Sequence, residues 1–227
     1  MQLPKLTGLP AALLLSFPLA LCAQTASPSG QANSQAPAAG QREPGLYMTF
    51  QTDKGDIACK LFEKESPITV GKMVGLAIGK ISYVDPRTGQ QNRNKFFDGL
   101  TFHRVIPGFM IQGGDPLGTG TGGPKGPGFP YQNETAPGLT FNVPGRLAMA
   151  NAGRDTNASQ FFITEAPQTS LNGGYTIWGQ CENVDIVKAI ARVQRDSSDK
   201  PLTPIHIRHA IVERVGPAPA NAPEAMK

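Results

Sequence analysis

One short stretch near the middle of the chain, residues 102–115, has side chains that suit a neutral peptide. Arg104 and Gln112 are eight positions apart, and an even separation allows two strand residues to share one face if the register continues through the intervening turn. A Pro-Gly pair interrupts the stretch, which predicts two short strands joined by a turn. The Arg104 guanidinium, the Gln112 amide and the apolar side chains of Phe109 and Met110 suit a neutral peptide better than an ion.

Alternating apolar and polar residues, separated by turn-forming residues, predict the other strands of the fold. They are expected at 46–50, 56–61, 139–142, 146–150, 160–165, 175–180 and 205–215. Ser66-Pro67 places a capping residue before a proline, which predicts a helix that ends near Ile78. Apolar residues at helical spacing after Asn183 predict a second helix over 183–193. These elements predict a mainly β fold, a closed or nearly closed antiparallel barrel of about eight strands.

Composition supports one β-rich domain and argues against a nucleic-acid-binding role. The chain has 227 residues with 39% hydrophobic content, enough for one well-buried domain. Its 26 Gly and 21 Pro indicate many turns. The net charge is only +4, and Lys and Arg are scattered instead of forming the basic stripe that a nucleic-acid partner requires.

Both ends of the chain have compositions that differ from the middle. Residues 1–23 combine one lysine, an interrupted apolar run and a small residue at the end, which predicts an export signal and no membrane span. A lipoprotein signal that uses Cys22 is the alternative, although Leu21 is bulky for that motif. Residues 24–45 and 216–227 lack large apolar runs and are predicted to be a flexible spacer and a frayed tail, so the folded domain is expected at 46–215. The periplasm is the expected location, with secretion or lipid anchoring as alternatives.

Motifs for other chemistries are either absent or lack the flanking structure that their function requires. Residues 118–123 match the dinucleotide pattern G-x-G-x-x-G, but a segment rich in Pro and Gly follows instead of the required helix. We therefore expect a loop over 113–128. His206 and His209 are three positions apart, and strand residues with that spacing face opposite sides, so they are not expected to share a metal. The sequence predicts neither a metal nor a cofactor.

The cysteines and two sequons leave open questions. Signal cleavage would leave Cys59 and Cys181, and an exported protein meets conditions that permit a disulfide. Two thiols far apart in sequence can equally be buried and unpaired, and only their geometry decides. Asn133 and Asn157 begin N-glycosylation sequons, which matter only in a host that glycosylates.

Three blocks of the sequence resemble the cyclophilin family of peptidyl-prolyl cis-trans isomerases, in the order in which that family carries them. The first is FHRVIPGFMIQGGD at 102–115. The second combines LAMANA at 147–152 with NASQFFIT at 157–164, and the third is LNGGYTIWG at 171–179. The resemblance covers roughly residues 46–215.

The resemblance implies isomerisation of X-Pro bonds on a closed eight-stranded antiparallel barrel capped by two α-helices. In such a protein Arg104 hydrogen-bonds the substrate proline and Gln112 orients the arginine and the substrate, so these are the expected catalytic residues. The implied pocket for the proline ring is lined by Phe109, Met110, Phe162 and Leu171. The implied role of Asn151 is to hold the preceding residue through its backbone, and His103 lies beside the site without acting as a base. The other expected substrate-binding residues are Ala150, Ala152, Gln160 and Tyr175.

The sequence departs from the family pattern at several positions. Ser170 stands where many members carry a tryptophan that supports cyclosporin binding, so only weak cyclosporin binding is expected. Tyr175 stands where many members have histidine. Residues 79–95 are predicted to be an exposed loop that is either inert or shapes partner choice.

Two functions remain open at this point. The first is an exported, monomeric isomerase whose partners are proline-containing peptides and unfolded exported proteins. The second is a binding module on the same barrel that holds proline-containing segments without turnover, as a chaperone or assembly factor. The arginine at 104 favours the enzyme, because a pure binder has no need of it.

Overall fold

The structure is a computed structural model in which residues 42–219 are described. Within this range there are two α-helices, α1 (Pro67–Ala77) and α2 (Val184–Ala191), and a short 3-10 turn (Thr169–Leu171). The strands of the same range are β1 (Gly45–Thr52), β2 (Gly55–Leu61), β3 (Tyr83–Val84), β4 (Gln91–Asn92), β5 (Arg104–Ile106), β6 (Met110–Gly113), β7 (Arg146–Met149), β8 (Phe161–Thr164), β9 (Ile177–Cys181) and β10 (Ile207–Val215).

Eight of these strands form one curled antiparallel sheet in the order β10-β1-β2-β9-β7-β8-β6-β5. The mainly β class, the antiparallel sheet and the two helices are confirmed. Closure of the barrel is not, because the edge strands β10 and β5 do not pair with each other within residues 42–219. Instead, the segment before β5 bonds to the start of β10 and to the residues just before it. The Ile207 N–H of β10 donates to the Leu100 carbonyl (2.7 Å), and the Phe102 N–H donates to the Ile205 carbonyl (3.0 Å).

The core lies on one face of the sheet, beneath both helices. Helices α1 and α2 contribute fully buried residues such as Met73 and Ile190 to the same apolar cluster as the strands. Phe161 on β8 stacks on Phe50 of β1 at a centroid distance of 4.7 Å, whereas its neighbour Phe162 belongs to a second, smaller cluster. Successive strand residues point to opposite faces, and this alternation confirms that only one of the two phenylalanines faces the core.

The helices begin where the sequence predicts, but their predicted capping side chains bond elsewhere. Ser66 occupies the N-cap position of α1, yet its hydroxyl donates to the Ile177 carbonyl (2.9 Å) and makes no capping bond. The Glu134 carboxylate accepts the first free N–H groups of α1, from Ile68 (2.9 Å) and Thr69 (2.7 Å). Asn183 precedes α2 and accepts the Ala58 N–H, so it ties the helix to β2 instead of capping it.

The two described cysteines form a disulfide. Cys59 on β2 and Cys181 on β9 are directly opposite each other in the sheet, and both side chains are buried. The sequence left pairing open because only the strand register brings these thiols together.

Two segments differ from their predicted structure. Residues 139–142 form no strand, because the Phe141 N–H donates to the Asn172 side chain (2.8 Å) and its carbonyl accepts from Gln168, so no neighbouring strand is bonded. The predicted exposed loop 79–95 contains the small β3-β4 hairpin, and Tyr83 within it is buried against Phe96. It is therefore anchored to the domain.

The predicted signal over 1–23 lies outside the described residues, as do most of the spacer and of the tail. Within residues 42–219, no helix has both the length and the apolar character needed to cross a membrane.

Candidate active site

Arg104 and Gln112 face the same side of the sheet. They are directly opposite each other on β5 and β6, and directly opposed residues of antiparallel strands share a face. The connecting turn has Gly108 at φ +75°, a conformation that favours glycine. The even spacing therefore predicted the shared face correctly, because the turn preserves the register.

This turn is held from outside the hairpin. The Gly108 N–H donates to the Glu165 carboxylate (2.9 Å) and the Gln168 side chain donates to the Gly108 carbonyl (2.8 Å). Glu165 is buried and also forms an ion pair with Arg192. These contacts fix the position of Phe109, the next residue.

An apolar pocket lies beside the hairpin. Phe162 is its centre, with the Phe141 ring stacked at 5.8 Å and the Tyr175 ring edge-on at 5.5 Å. The pocket opens into a cavity of about 220 Å³, and nine predicted site residues line it: Arg104, Phe109, Met110, Gln112, Ala150, Asn151, Phe162, Leu171 and Tyr175. The cavity thus combines one cation, two amides and an apolar floor.

Ala152 and Gln160 line a second, neighbouring cavity of about 470 Å³ that shares Gln112, Ala150 and Asn151 with the first. The Gln112 amide donates to Gln160 Oε1 (2.9 Å). The Gln160 amide in turn donates to the carbonyls of Gly120 (3.0 Å) and Gly122 (2.8 Å). This chain of hydrogen bonds connects the predicted catalytic amide to the glycine-rich loop.

A single buried carboxylate organises that loop. Asp115 is 1% exposed and accepts four backbone N–H bonds, from Leu117, Thr119, Gly120 and Gly122. Burial alone would raise the pKa of the Asp115 carboxyl. The four N–H donors have the larger combined effect, so the pKa lies below its usual value. The segment forms no helix, which confirms that the G-x-G-x-x-G match is coincidental.

At two positions of this region, only glycine fits without a steric clash. A Cβ on Gly122 would lie 2.0 Å from Asp115 Oδ1, and a Cβ on Gly114, whose φ is +83°, would lie 2.3 Å from the Ser159 carbonyl. Both distances are too short for any other residue, so the glycines permit the loop to close around Asp115.

His103 is not brought into the cavity. Its ring is almost fully buried beneath the loop, with neither nitrogen hydrogen-bonded and a Cβ position of Gly120 only 3.8 Å from Nε2. Burial lowers the pKa of His103 below its usual value, with Asp115 opposing and Arg104 and Lys200 reinforcing the shift. The enclosed imidazole therefore packs beneath the loop and lines neither of the two cavities.

The Arg104 guanidinium is half exposed and has one acidic neighbour. Its Nε lies 3.7 Å from Asp199 Oδ2, and no hydrogen bond joins Arg104 to Gln112 within residues 42–219. Asp199 belongs to a loop far along the chain.

The histidines and the sequon asparagine noted in the sequence contact other side chains or the backbone of the domain. His206 contacts Asp53 and His209 contacts Asp98, each at 2.9 Å. In the described part of the chain, no three or more His, Cys, Asp or Glu side chains are grouped closely enough to hold a metal ion. Asn157 is fully buried, with its amide bonded to the Gln132 carbonyl and the Asn133 side chain.

Four residues that shape the site have no role predicted from the sequence: Asp115, Glu165, Gln168 and Asp199. Asp115 carried a usable signal, since an acid directly before a glycine-rich segment can accept successive N–H groups. The other three carry none, because only the fold brings them to β5 and its turn.

A curled antiparallel sheet of eight strands with a partly apolar cavity beside it places the protein in the mainly β class. The family model described as cyclophilin type peptidyl-prolyl cis-trans isomerase/CLD matches residues 47–212. The chain belongs to this family, and its activity is peptidyl-prolyl cis-trans isomerisation.

Relatives and a solved structure agree with this assignment. Peptidyl-prolyl cis-trans isomerase B of Streptomyces anulatus is 45% identical over 172 residues, which are 74% of this chain and 97% of the relative. Peptidyl-prolyl cis-trans isomerase A of Mycobacterium tuberculosis is 46% identical over 162 residues, 70% of this chain and 87% of the relative. A cyclophilin-type isomerase of Cryptosporidium parvum, solved in the presence of the dipeptide Ala-Pro, superposes with a TM-score of 0.64 at 30% identity, covering 74% of this chain and 98% of that one.

Proposed function

We propose that Arg104 stabilises the twisted amide during isomerisation while the substrate's proline ring occupies the apolar pocket. The observation that carries this proposal is that the guanidinium and the pocket line one cavity. The pocket residues assigned to the ring are Phe109, Met110, Phe162 and Leu171.

The chemistry follows from the nature of the X-Pro bond. Amide resonance opposes its rotation with a barrier of about 18–20 kcal/mol, and the rotation itself makes and breaks no covalent bond. A donor that hydrogen-bonds the proline nitrogen withdraws its lone pair from resonance and so stabilises the twisted state more than either planar state. Arginine suits this role because it remains charged and presents a rigid array of donors.

The amides of the groove hold the peptide on either side of the rotating bond. Asn151 lines both cavities, which supports the proposal that its backbone binds the residue before proline. Gln112 has its side chain fixed by Gln160, which is itself bonded to the glycine-rich loop. A fixed amide loses little conformational freedom when it binds.

Exchange NMR on a short Ala-Pro peptide tests the role of Arg104. We expect Arg104→Ala to lower kcat/KM for cis-to-trans exchange by about a hundredfold or more, the range seen when one transition-state donor is removed. Peptide affinity should fall much less, because the apolar pocket is unchanged.

Arg208→Ala is the matched control, since Arg208 is another exposed arginine paired with an aspartate, Asp53. It should leave exchange at the wild-type rate. Equal activity of the wild type and Arg104→Ala would contradict the proposed role of Arg104. No acceleration of exchange by the folded wild type would instead favour a site that only binds proline segments.

We further propose that the protein is exported and assists the folding of unfolded exported proteins, most simply in the periplasm. The apolar run and small residues of 1–23 support export, as does the Cys59–Cys181 disulfide, because disulfides persist in oxidising compartments. Cell fractionation of the wild type and of Cys22→Ala tests this: a soluble periplasmic pool in both supports it, and a membrane pool lost in the variant would indicate lipid anchoring.

Two expectations about partners belong to the same proposal. Ser170 is exposed beside Leu171 at the rim of the pocket and offers no aromatic surface, so cyclosporin should bind weakly. The protein should act as a monomer. A fluorescence titration and analytical ultracentrifugation test these expectations.

A further inference from the structure

Arg104 needs a defined orientation to donate to the proline nitrogen, but few neighbouring groups restrain its side chain. The Arg104 side chain is 44% exposed, and a long exposed side chain has many accessible rotamers. Among residues 42–219, the Asp199 carboxylate is the one acid within 4.0 Å of the guanidinium. Its contact is with Nε, which leaves both Nη groups available to a substrate.

Asp199 lies in a hairpin over residues 194–202 that is held together by hydrogen bonds. Its own N–H donates to the Asp196 carbonyl (3.1 Å), and the Asp196 carboxylate accepts the Ser198 and Lys200 N–H groups (2.8 and 3.0 Å). Asp199 has φ +64°, in the left-handed region that aspartate and asparagine tolerate better than most residues. The position of Asp199 is thus fixed by its own loop.

The hairpin is also bonded to the strand that carries the arginine. The Val105 N–H donates to the Asp199 carbonyl at 2.8 Å. Asp199 therefore contacts β5 through its backbone at residue 105 and through its side chain at residue 104. A shift of the loop would move both contacts together.

The Asp199 carboxylate is shared between two arginines. Oδ1 lies 3.1 Å from Arg195 Nε and Oδ2 lies 3.7 Å from Arg104 Nε. Because Arg195 binds one oxygen from within the same hairpin, it orients the carboxylate so that the other oxygen faces Arg104.

We propose that Asp199 is a positioning residue that holds Arg104 Nε and directs the Nη donors toward the proline nitrogen. This inference rests on the proposed catalytic role of Arg104. It assigns to an acid of the 194–202 hairpin an orienting function that the resemblance gave to Gln112.

Asp199→Asn is the informative variant, because asparagine tolerates the left-handed conformation and leaves the backbone bonds in place. We expect kcat to fall about twofold to fivefold, the range for a partly exposed ion pair, with KM unchanged. The wild-type rate should approach that of the variant as salt is added, since salt screens the pair. The Nε–H order parameter of Arg104, measured by NMR relaxation, should decrease in the variant.

Asp196→Asn is the control: it makes the same change of charge in the same hairpin and has no contact with Arg104. It also keeps the side-chain oxygen that accepts the Ser198 and Lys200 N–H groups, so the loop that holds Asp199 is preserved. It should keep wild-type kcat and Arg104 order. If Asp199→Asn matches this control in kcat and in Arg104 order, the positioning role is refuted. If Arg104→Ala itself retains full activity, the proposed function of Arg104 fails instead, so the two failures are distinguishable.

Discussion

His103 contacts the site from outside, because its ring packs beneath the glycine-rich loop and does not line the cavity. Its ring supports the glycine-rich loop from below and has a lowered pKa because it is buried. The loop in turn supplies the carbonyls that fix Gln160 and, through it, Gln112. The imidazole thus acts on the groove through packing.

The lowered pKa predicts a stability effect of pH. In the unfolded chain this histidine binds a proton near pH 6.5, whereas in the folded chain it does so only at a lower pH. The free energy of unfolding therefore falls as pH drops through 6.5 toward the lower folded pKa. His103→Gln should flatten this slope between about pH 7 and 5, measured by urea unfolding at several pH values. An unchanged slope in the variant would show that His103 does not contribute.

Single residues also mark how far sequence alone could reach at this scale. Alternation predicted that only one of Phe161 and Phe162 faces the core, and the family resemblance assigned Phe162 to the pocket. Asp199 could not be assigned to the site, because nothing local distinguishes it from the other acid of its hairpin, Asp196. Its role depends on which strand the hairpin lies against.

Among the elements, the loop around Asp115 is the part of the site most dependent on one side chain. Asp115→Ala would leave four N–H groups without their acceptor, and we expect a loss of about 2–3 kcal/mol in the free energy of unfolding. KM should also rise, since Gln160 depends on the loop carbonyls. Urea unfolding and exchange NMR measure the two effects.

Asp56→Ala serves as the comparison, because Asp56 is an exposed acid on β2, away from the groove. It should change stability by less than about 0.5 kcal/mol. A loss at Asp115 no larger than at Asp56 would mean that water replaces the carboxylate without cost.

The elements themselves were largely predictable, and the exceptions have a common cause. The β1-β2 hairpin, both helices and the β5-β6 turn follow from local patterns of alternation, capping and turn residues. Residues 139–142 alternate in the same way but form no strand, since Asn172 and Gln168 bond the Phe141 backbone instead. The anchored hairpin in 79–95 was missed because its burial depends on Phe96, outside the segment.

For the whole molecule, the disulfide is the longest covalent constraint in the described part of the chain. It joins residues 122 positions apart, so in the chain-entropy account it restricts the unfolded state strongly. The paired replacement Cys59→Ala with Cys181→Ala should lower the free energy of unfolding by about 2–4 kcal/mol. Activity at moderate temperature should persist, because neither cysteine lines the groove.

Thermal unfolding with and without reductant provides the check. Reductant should lower the Tm of the wild type and leave the paired variant unchanged. A wild-type Tm that does not respond to complete reduction would show that the strand pairing alone suffices.

The open sheet has a further consequence at its two edge strands, β10 and β5. Strand edges with free N–H and C=O groups can template pairing with any extended polypeptide. Both edges here are partly covered by the chain itself: Asp199 accepts the Val105 N–H on β5, while Asp98 accepts the Ala210 N–H on β10. An extended chain bound at the cavity would therefore find few free positions at which to add itself as a further strand of the sheet.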